Sequence, residues 1–266
     1  MVMVMIVKVP GIHSFGKTKG CRDSGNAVLA ELRNIKSNEK GKLIDVDLLS
    51  LEESHVDNEN LEEQDKLIYE NSKEMFETQD KVIFLGGDHS VSYSTGRSFL
   101  DFVKKNKKEP CLIVFDAHAD CEKSNNHRGW LRSLIDEGFS VENILLVGVR
   151  DMEREEIEFI SEKRLRRISI NQIEENIQEM ADVITEFAHE KELYVSIDID
   201  VVDPVFAGST GDKVVGGLTS RQLIYIIQRI ALMKNLKGLD IVEIDSENDK
   251  TGLTVKLGAK VVAELL

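Results

Sequence analysis

Short aliphatic and β-branched runs recur along this chain, separated by longer stretches whose apolar positions repeat at helical spacing. Runs of that length, bounded by Gly, Pro, Asp and Asn, read as buried strands. They predict strands at Met3–Val9, Leu43–Leu49, Val82–Leu85, Leu112–Phe115, Ile144–Gly148, Tyr194–Ile199 and Gly238–Ile244. Helical spacing predicts helices over Leu61–Phe76, Ile173–His189 and Ser220–Met233. Strands that are apolar on both sides need cover on both faces. Their alternation with helices therefore predicts an α/β fold of three layers, αβα, around a mostly parallel, doubly wound sheet with right-handed crossovers. The 266 residues suffice for a sizeable core and remain within the range of one α/β domain. The three prolines are Pro10, Pro110 and Pro204, and no Ser/Gly-rich linker, repeat or low-complexity tract divides the chain, so a single domain over 1–266 is expected.

Charge and cysteine usage narrow the function classes. The formal net charge is −14, which argues against a nucleic-acid partner because that needs a basic face. The acidic runs Glu153–Glu158 and Glu174–Glu179 read as solvated helix faces. The apolar start, Met1–Val7, is too short for a membrane span and lacks a basic leader or cleavage site, so it reads as a buried first strand. The cysteines are Cys21, Cys111 and Cys121, with no CxxC. That set argues against a disulfide framework and a thiolate zinc site, and makes the reducing cytoplasm the expected compartment. Cys121 reads as a buried, inert thiol.

Candidate chemistry sits where strands are expected to end. Gly86-Gly87-Asp88-His89-Ser90 follows one, Asp116-Ala117-His118-Ala119-Asp120 a second, and Ser196-Ile197-Asp198-Ile199-Asp200 closes a third before Asp203-Pro204. In open α/β sheets ligands collect outside the carboxyl ends of strands, which places all three motifs on one edge. In extended backbone alternate residues point the same way, so Asp116, His118 and Asp120 share a direction, as do Asp198 and Asp200. Carboxylates crowded in this way repel one another unless cations lie between them. Oxygen and imidazole donors without thiolate suit Mn²⁺, with Co²⁺, Fe²⁺ or Zn²⁺ as substitutes. Four carboxylates and two imidazoles exceed the needs of one ion. Bridging carboxylates can hold two ions roughly 3.5–4 Å apart and turn a shared water into a nucleophile.

In this order, GGDHS, DAHAD and SIDIDVVDP resemble the metal-binding motifs of the ureohydrolase superfamily, which includes arginase, agmatinase, guanidinobutyrase and formiminoglutamase. The resemblance covers roughly residues 84 to 266, and Gly16–Gly20 is a weaker echo of the family's first loop. It implies an arginase-like fold and one metal on His89, Asp116, Asp120 and Asp198. The second would lie on His118, Asp116, Asp198 and Asp200, with Asp116 and Asp198 bridging. Asp120 would also accept a hydrogen bond from the bridging hydroxide, and Asp203 would support its loop. It further implies that Glu243 pairs with a guanidinium group and that His127 shuttles a proton to the leaving amine. A homo-oligomer, trimer or hexamer, is implied as well.

Departures from the family pattern bear on the substrate. Asp212 and Lys213 stand where a Thr-Pro pair is common, Ile244 and Asp245 follow Glu243, and the loop from Asp120 to His127 is short. Glu122 and Glu153 are candidates for favouring a distal ammonium group, and the short loop lacks a carboxylate clamp. Agmatine, hydrolysed to putrescine and urea, is therefore the expected substrate. Arginase activity remains open through Glu153. Guanidinobutyrase or formiminoglutamase activity remains open through Arg128, Arg132 or Lys123. A metal-binding scaffold without catalysis and a single-zinc deacetylase-type enzyme are the readings from other classes.

Overall fold

A computed structural model describes residues 4–13, 16–124 and 127–266. In chain order the elements are β1 (Val4–Val9), α1 (Ser24–Leu32), β2 (Ser50–Glu53), α2 (Leu61–Thr78), β3 (Lys81–Gly86) and α3 (Val91–Lys105). Next come β4 (Pro110–Phe115), α4 (Trp130–Asp136), β5 (Ile144–Val147), α5 (Arg154–Lys163), β6 (Arg166–Ile168), α6 (Ile170–Glu175) and α7 (Ile177–Phe187). The chain ends with β7 (Glu192–Asp198), α8 (Ser220–Ile230), β8 (Leu236–Val242) and α9 (Leu253–Leu265). The strands form one sheet in the order β2-β1-β3-β8-β7-β4-β5-β6, every pair parallel.

Side-chain alternation along each strand builds two cores. In β3, Ile83 and Leu85 join the core under α1, α7, α8 and α9, while Val82 and Phe84 join the one under α2, α3, α4 and α5. In β4, Ile113 and Phe115 face the first core, and Leu112 and Val114 the second. Because both faces are covered, the central strands carry apolar residues at consecutive positions, which made them legible in the sequence. Among the described residues no helix is long and apolar enough to cross a membrane.

Two expected elements need correction. The strand expected at Leu43–Leu49 is instead a 3₁₀ turn and the approach to it, with Leu43 and Leu48 more than four-fifths exposed and Val46 buried in the core. Asp45 caps that turn by accepting the Asp47 N–H, and pairing with β1 begins only at Ser50. As an edge strand with exposed residues, β2 needs no apolar pattern. The helix expected over Ile173–His189 breaks at Asn176, whose side chain accepts the Glu179 N–H and starts α7 anew. Met3, assigned by pattern to the first strand, lies outside the described residues.

Parallel strands put all their carboxyl ends on one edge. The four adjacent central strands β3, β8, β7 and β4 end at Gly86, Val242, Asp198 and Phe115, and each is followed within a few residues by a candidate site side chain.

Candidate metal centre

The turn after β3 is built for close approach. Gly87 lies against the first loop so tightly that a Cβ there would sit 1.9 Å from the Gly11 carbonyl oxygen. The same turn is pinned by Asp88, whose carboxylate accepts from the His13 N–H and the Thr18 hydroxyl, both at 2.8 Å, and from the Ser90 N–H at 3.2 Å. His89 is thereby delivered, fully buried, over the end of β7.

Three aspartates meet it there. His89 Nδ1 lies 2.9 Å from Asp120 Oδ2, 3.1 Å from Asp116 Oδ2 and 3.2 Å from Asp198 Oδ2, yet makes a hydrogen bond to none of them. Asp116 Oδ2 is likewise buried without a donor. Beside this group, His118 Nδ1 lies 2.9 Å from Asp200 Oδ2 and 3.5 Å from Asp116 Oδ1. Two ligand groups result, His89–Asp116–Asp198 and His118–Asp116–Asp200, with Asp116 common to both.

The backbone fixes which oxygens point inward. One oxygen of Asp116 accepts the His118 N–H at 2.6 Å, one of Asp198 the Asp200 N–H at 2.8 Å, and one of Asp200 the Ala117 N–H at 2.9 Å. Each of these aspartates keeps its second oxygen for the shared space. Asp120 is held instead by a side chain, the Trp130 indole N–H, at 2.8 Å.

Electrostatics show what such a cluster demands. Burial, Asp200 and Asp116 drive the Asp198 carboxyl well above its ordinary range, and burial with Asp116 raises Asp120. Burial alone would lower His118, but Asp116 and Asp200 push it up to about 12. Buried anions at these distances require compensating positive charge, and divalent ions supply it. The orphaned Nδ1 of His89 and Oδ2 of Asp116, aimed at one point, fit that requirement.

A small pocket opens beside the cluster, lined also by Thr18, His127, Arg128, Thr210–Asp212 and Glu243. Glu243 follows β8 at φ 62°, and Asp120 follows the DAHA stretch at φ 49°. Left-handed backbone at non-glycine residues is costly and concentrates at functional sites. Glu243 Oε1 accepts the His89 N–H at 2.9 Å, and its other oxygen faces the Cys21 thiol at 3.7 Å. Burial and the Asp88 carboxylate push Glu243 well up from the usual range. Burial lowers the His127 imidazole, whose Nδ1 has no hydrogen-bond partner among the described residues.

The structure brings His89, Asp116, His118, Asp120, Asp198, Asp200, Glu243 and His127 together. It does not bring Glu122 and Glu153 with them. The Glu122 carboxylate is turned to Arg128 at 3.3 Å, outside the cavity lining. Glu153 is an exposed residue at the N-cap of α5, its N–H donating to Glu156. Both were selected by proximity in sequence to a ligand and to Arg150, which does not fix where a carboxylate turns. Of the three cations considered, only Arg128 lines the cavity. Arg132 lies over Phe159, and Lys123 is a loop residue whose N–H donates to Glu155. Asp203 supports its loop, accepting from the Val205 and Gly216 N–H groups at 3.0 and 2.7 Å. Cys121 is buried, its thiol raised by burial and directed to the Ala119 carbonyl.

Several contributors escaped the sequence reading. Asp212, there only an unexplained departure, accepts from Arg128 at 2.6 Å and Lys17 at 3.1 Å, tying three loops across the mouth of the cavity. Arg150 donates to the carbonyls of Asp200 and Val214 at 2.8 and 2.7 Å, fixing the turn after β7. Trp130 carried no spacing signal. Asp240, an acid inside an apolar strand, did.

A family model described as the arginase family matches residues 3–266. The chain is 25% identical over 246 residues to an arginase from Staphylococcus aureus (strain MSSA476), covering 82% of this chain and 80% of that one. Among solved structures, proclavaminate amidino hydrolase from Streptomyces clavuligerus aligns with a TM-score of 0.87 at 23% identity, over 99% of this chain and 90% of the other. Formimidoylglutamase from Bacillus subtilis subsp. subtilis str. 168 aligns with a TM-score of 0.88 at 22% identity, over 100% and 86%. At these identities the structural likenesses speak to the fold.

Proposed function

The chain belongs to the arginase family, and from that premise we propose that it is a binuclear manganese hydrolase that cleaves a guanidino C–N bond to release urea, with agmatine as substrate. The observation that carries the chemistry is the pair of histidine–aspartate groups sharing Asp116 beside the buried Glu243. His89, Asp116, Asp120 and Asp198 would hold one ion, and His118, Asp116, Asp198 and Asp200 the other. Bound there, the ions supply Lewis-acid activation of a water near neutral pH.

The chain's own residues do the rest. Glu243 presents a carboxylate to the cavity, where it can take two N–H bonds from a planar guanidinium and hold its carbon over the cluster. The His89 N–H and the Cys21 thiol fix that carboxylate from behind. His127, whose pKa burial lowers, can accept a proton and pass it to the departing amine through Nδ1, which has no partner among the described residues.

Agmatine is favoured by the charges at the mouth. Arg128, the one arginine or lysine among the described lining residues, is already paired with Glu122 and Asp212. A carboxylate tail must compete for it, whereas an ammonium tail can add a bond to Asp212. The test is product release by manganese-loaded protein given agmatine, arginine, 4-guanidinobutyrate and formiminoglutamate, scoring urea, and formamide for the last. Preference for agmatine is expected. Preference for a carboxylate-bearing substrate would overturn the assignment of the tail and make Arg128 its partner. No product from any of the four would overturn the hydrolase reading.

A further inference from the structure

Asp240 lies in the middle of β8 between Leu239 and Ile241, completely buried. A carboxylate in that place is costly unless its oxygens are satisfied. Sheet register and one helix face satisfy them. Ser196 of β7 pairs directly with Asp240, and its hydroxyl donates to Oδ1 at 2.7 Å. Two residues earlier on the same face of β7, Tyr194 donates to Oδ2 at 2.7 Å. From α3, Ser92 donates to Oδ2 at 2.9 Å, with Thr95 at 3.5 Å.

The arrangement continues beyond the carboxylate. Ser196 Oγ also lies 2.9 Å from His89 Nε2. A hydroxyl has one proton, and Ser196 gives it to Asp240, so toward His89 it can only accept. Nε2 must then carry hydrogen, and in the neutral imidazole that binds a cation this leaves the Nδ1 lone pair bare. Nδ1 is the nitrogen facing Asp116, Asp120 and Asp198. We propose that Asp240 is a positioning residue that acts through Ser196 to fix His89 in the Nε2–H tautomer and so strengthens cation binding at the His89 group. The inference rests on the two-ion reading of the cluster. It assigns work to a residue that touches neither cavity nor ligand group, and it explains an acid that packing alone does not require. Outer partners of this kind commonly change metal affinity about 10–100-fold when removed.

The experiment uses the full chain and Mn²⁺ alone, titrated and followed by electron paramagnetic resonance. Asp240→Asn and Ser196→Ala should each weaken one of the two binding steps about 10–100-fold and leave the other nearly unchanged. In the zinc-loaded protein both should lose the His89 Nε2–H signal in ¹H–¹⁵N spectra. Tyr194→Phe removes a bond to the same carboxylate off the path to His89. It should lower the melting temperature while keeping both binding steps and the Nε2–H signal. If Asp240→Asn does not fold, Ser196→Ala decides. Unchanged binding steps in Asp240→Asn and Ser196→Ala would overturn the relay. An equal loss in Tyr194→Phe would make Asp240 a packing element only. Wild-type protein that binds two ions but releases no urea would refute the proposed activity and leave the relay standing. Wild-type protein that binds none would refute the relay at its premise.

Discussion

Replacing Trp130 by phenylalanine should remove the hydrogen bond that the indole N–H gives the Asp120 carboxylate. Trp130 is 2% exposed, its indole N–H meets Asp120 Oδ2 at 2.8 Å, and its ring centroid lies 4.8 Å from that of His89. Phenylalanine keeps an aromatic face toward His89 and removes the donor. A hydrogen bond to a charged group contributes about 1.5–3 kcal/mol. The lost ring leaves a void of roughly 40 Å³, costing about 1 kcal/mol at ~24 cal/mol per Å³. The sum is about 2.5–4 kcal/mol. With a melting entropy of about 2.1 cal/mol/K per residue, 266 residues give about 0.56 kcal/mol/K. The melting temperature of metal-loaded protein should therefore fall by about 4–7 °C. Without ions, burial and Asp116 raise Asp120 from its ordinary range and weaken the charge-assisted character of the bond. The decrease should then be smaller. Calorimetry of wild type and variant with and without Mn²⁺ reads both. A fall of less than 1 °C in loaded protein, or a larger fall in the metal-free form, would refute the reasoning.

Three other variants probe the remaining parts. Asp116→Ala removes the carboxylate common to both ligand groups. It should abolish the stabilisation by Mn²⁺ while leaving the metal-free melting temperature equal or higher, because a buried like charge is gone; full metal binding would exclude the shared-ligand model. Glu243→Gln keeps size and backbone and should lower turnover at least about 100-fold with two ions still bound, as urea release and metal analysis would register; unchanged turnover would remove Glu243 from the site. His127 is held below its ordinary pKa by burial, while the unfolded imidazole takes its proton near about 6.5. Stability should thus decline as pH falls through that value, and His127→Asn should flatten this decline in melting temperature between pH 7.5 and 5.5. The same variant should lose turnover but not metal; an identical pH slope, or lost metal, would contradict its placement.

The central strands were legible because covering both faces of a sheet forces apolar residues into consecutive positions, as Val82–Leu85 and Leu112–Phe115 show. The metal-ligand candidates were legible because their geometry is local. Position after a strand end suffices to group Asp116, His118 and Asp120, and to add His89 and Asp198; the expected alternation does not hold, because β4 ends at Phe115, Asp120 lies at φ 49° and Asp200 sits in a 3₁₀ turn. Where the deciding contacts are long-range, the sequence was silent or misleading. Leu43–Leu49 has an apolar pattern but makes an isolated bridge from Leu43 to Ser37 in place of a sheet strand, and pairing with β1 starts at Ser50.

The layered fold, the edge that carries the chemistry and the donor types gathered there could all be read from the order of residues. These follow from periodicity and from the direction parallel strands share. Which acids gather around the cluster depended on contacts between distant segments. Glu122 and Glu153 sit near it in the chain, but Arg128 and the start of α5 take them elsewhere. Asp212 and Asp240, remote from the metal motifs in sequence, are brought to the cavity mouth and behind His89. A charged side chain's role is set by the partners that compensate it after burial, and chain folding, not chain order, chooses those partners.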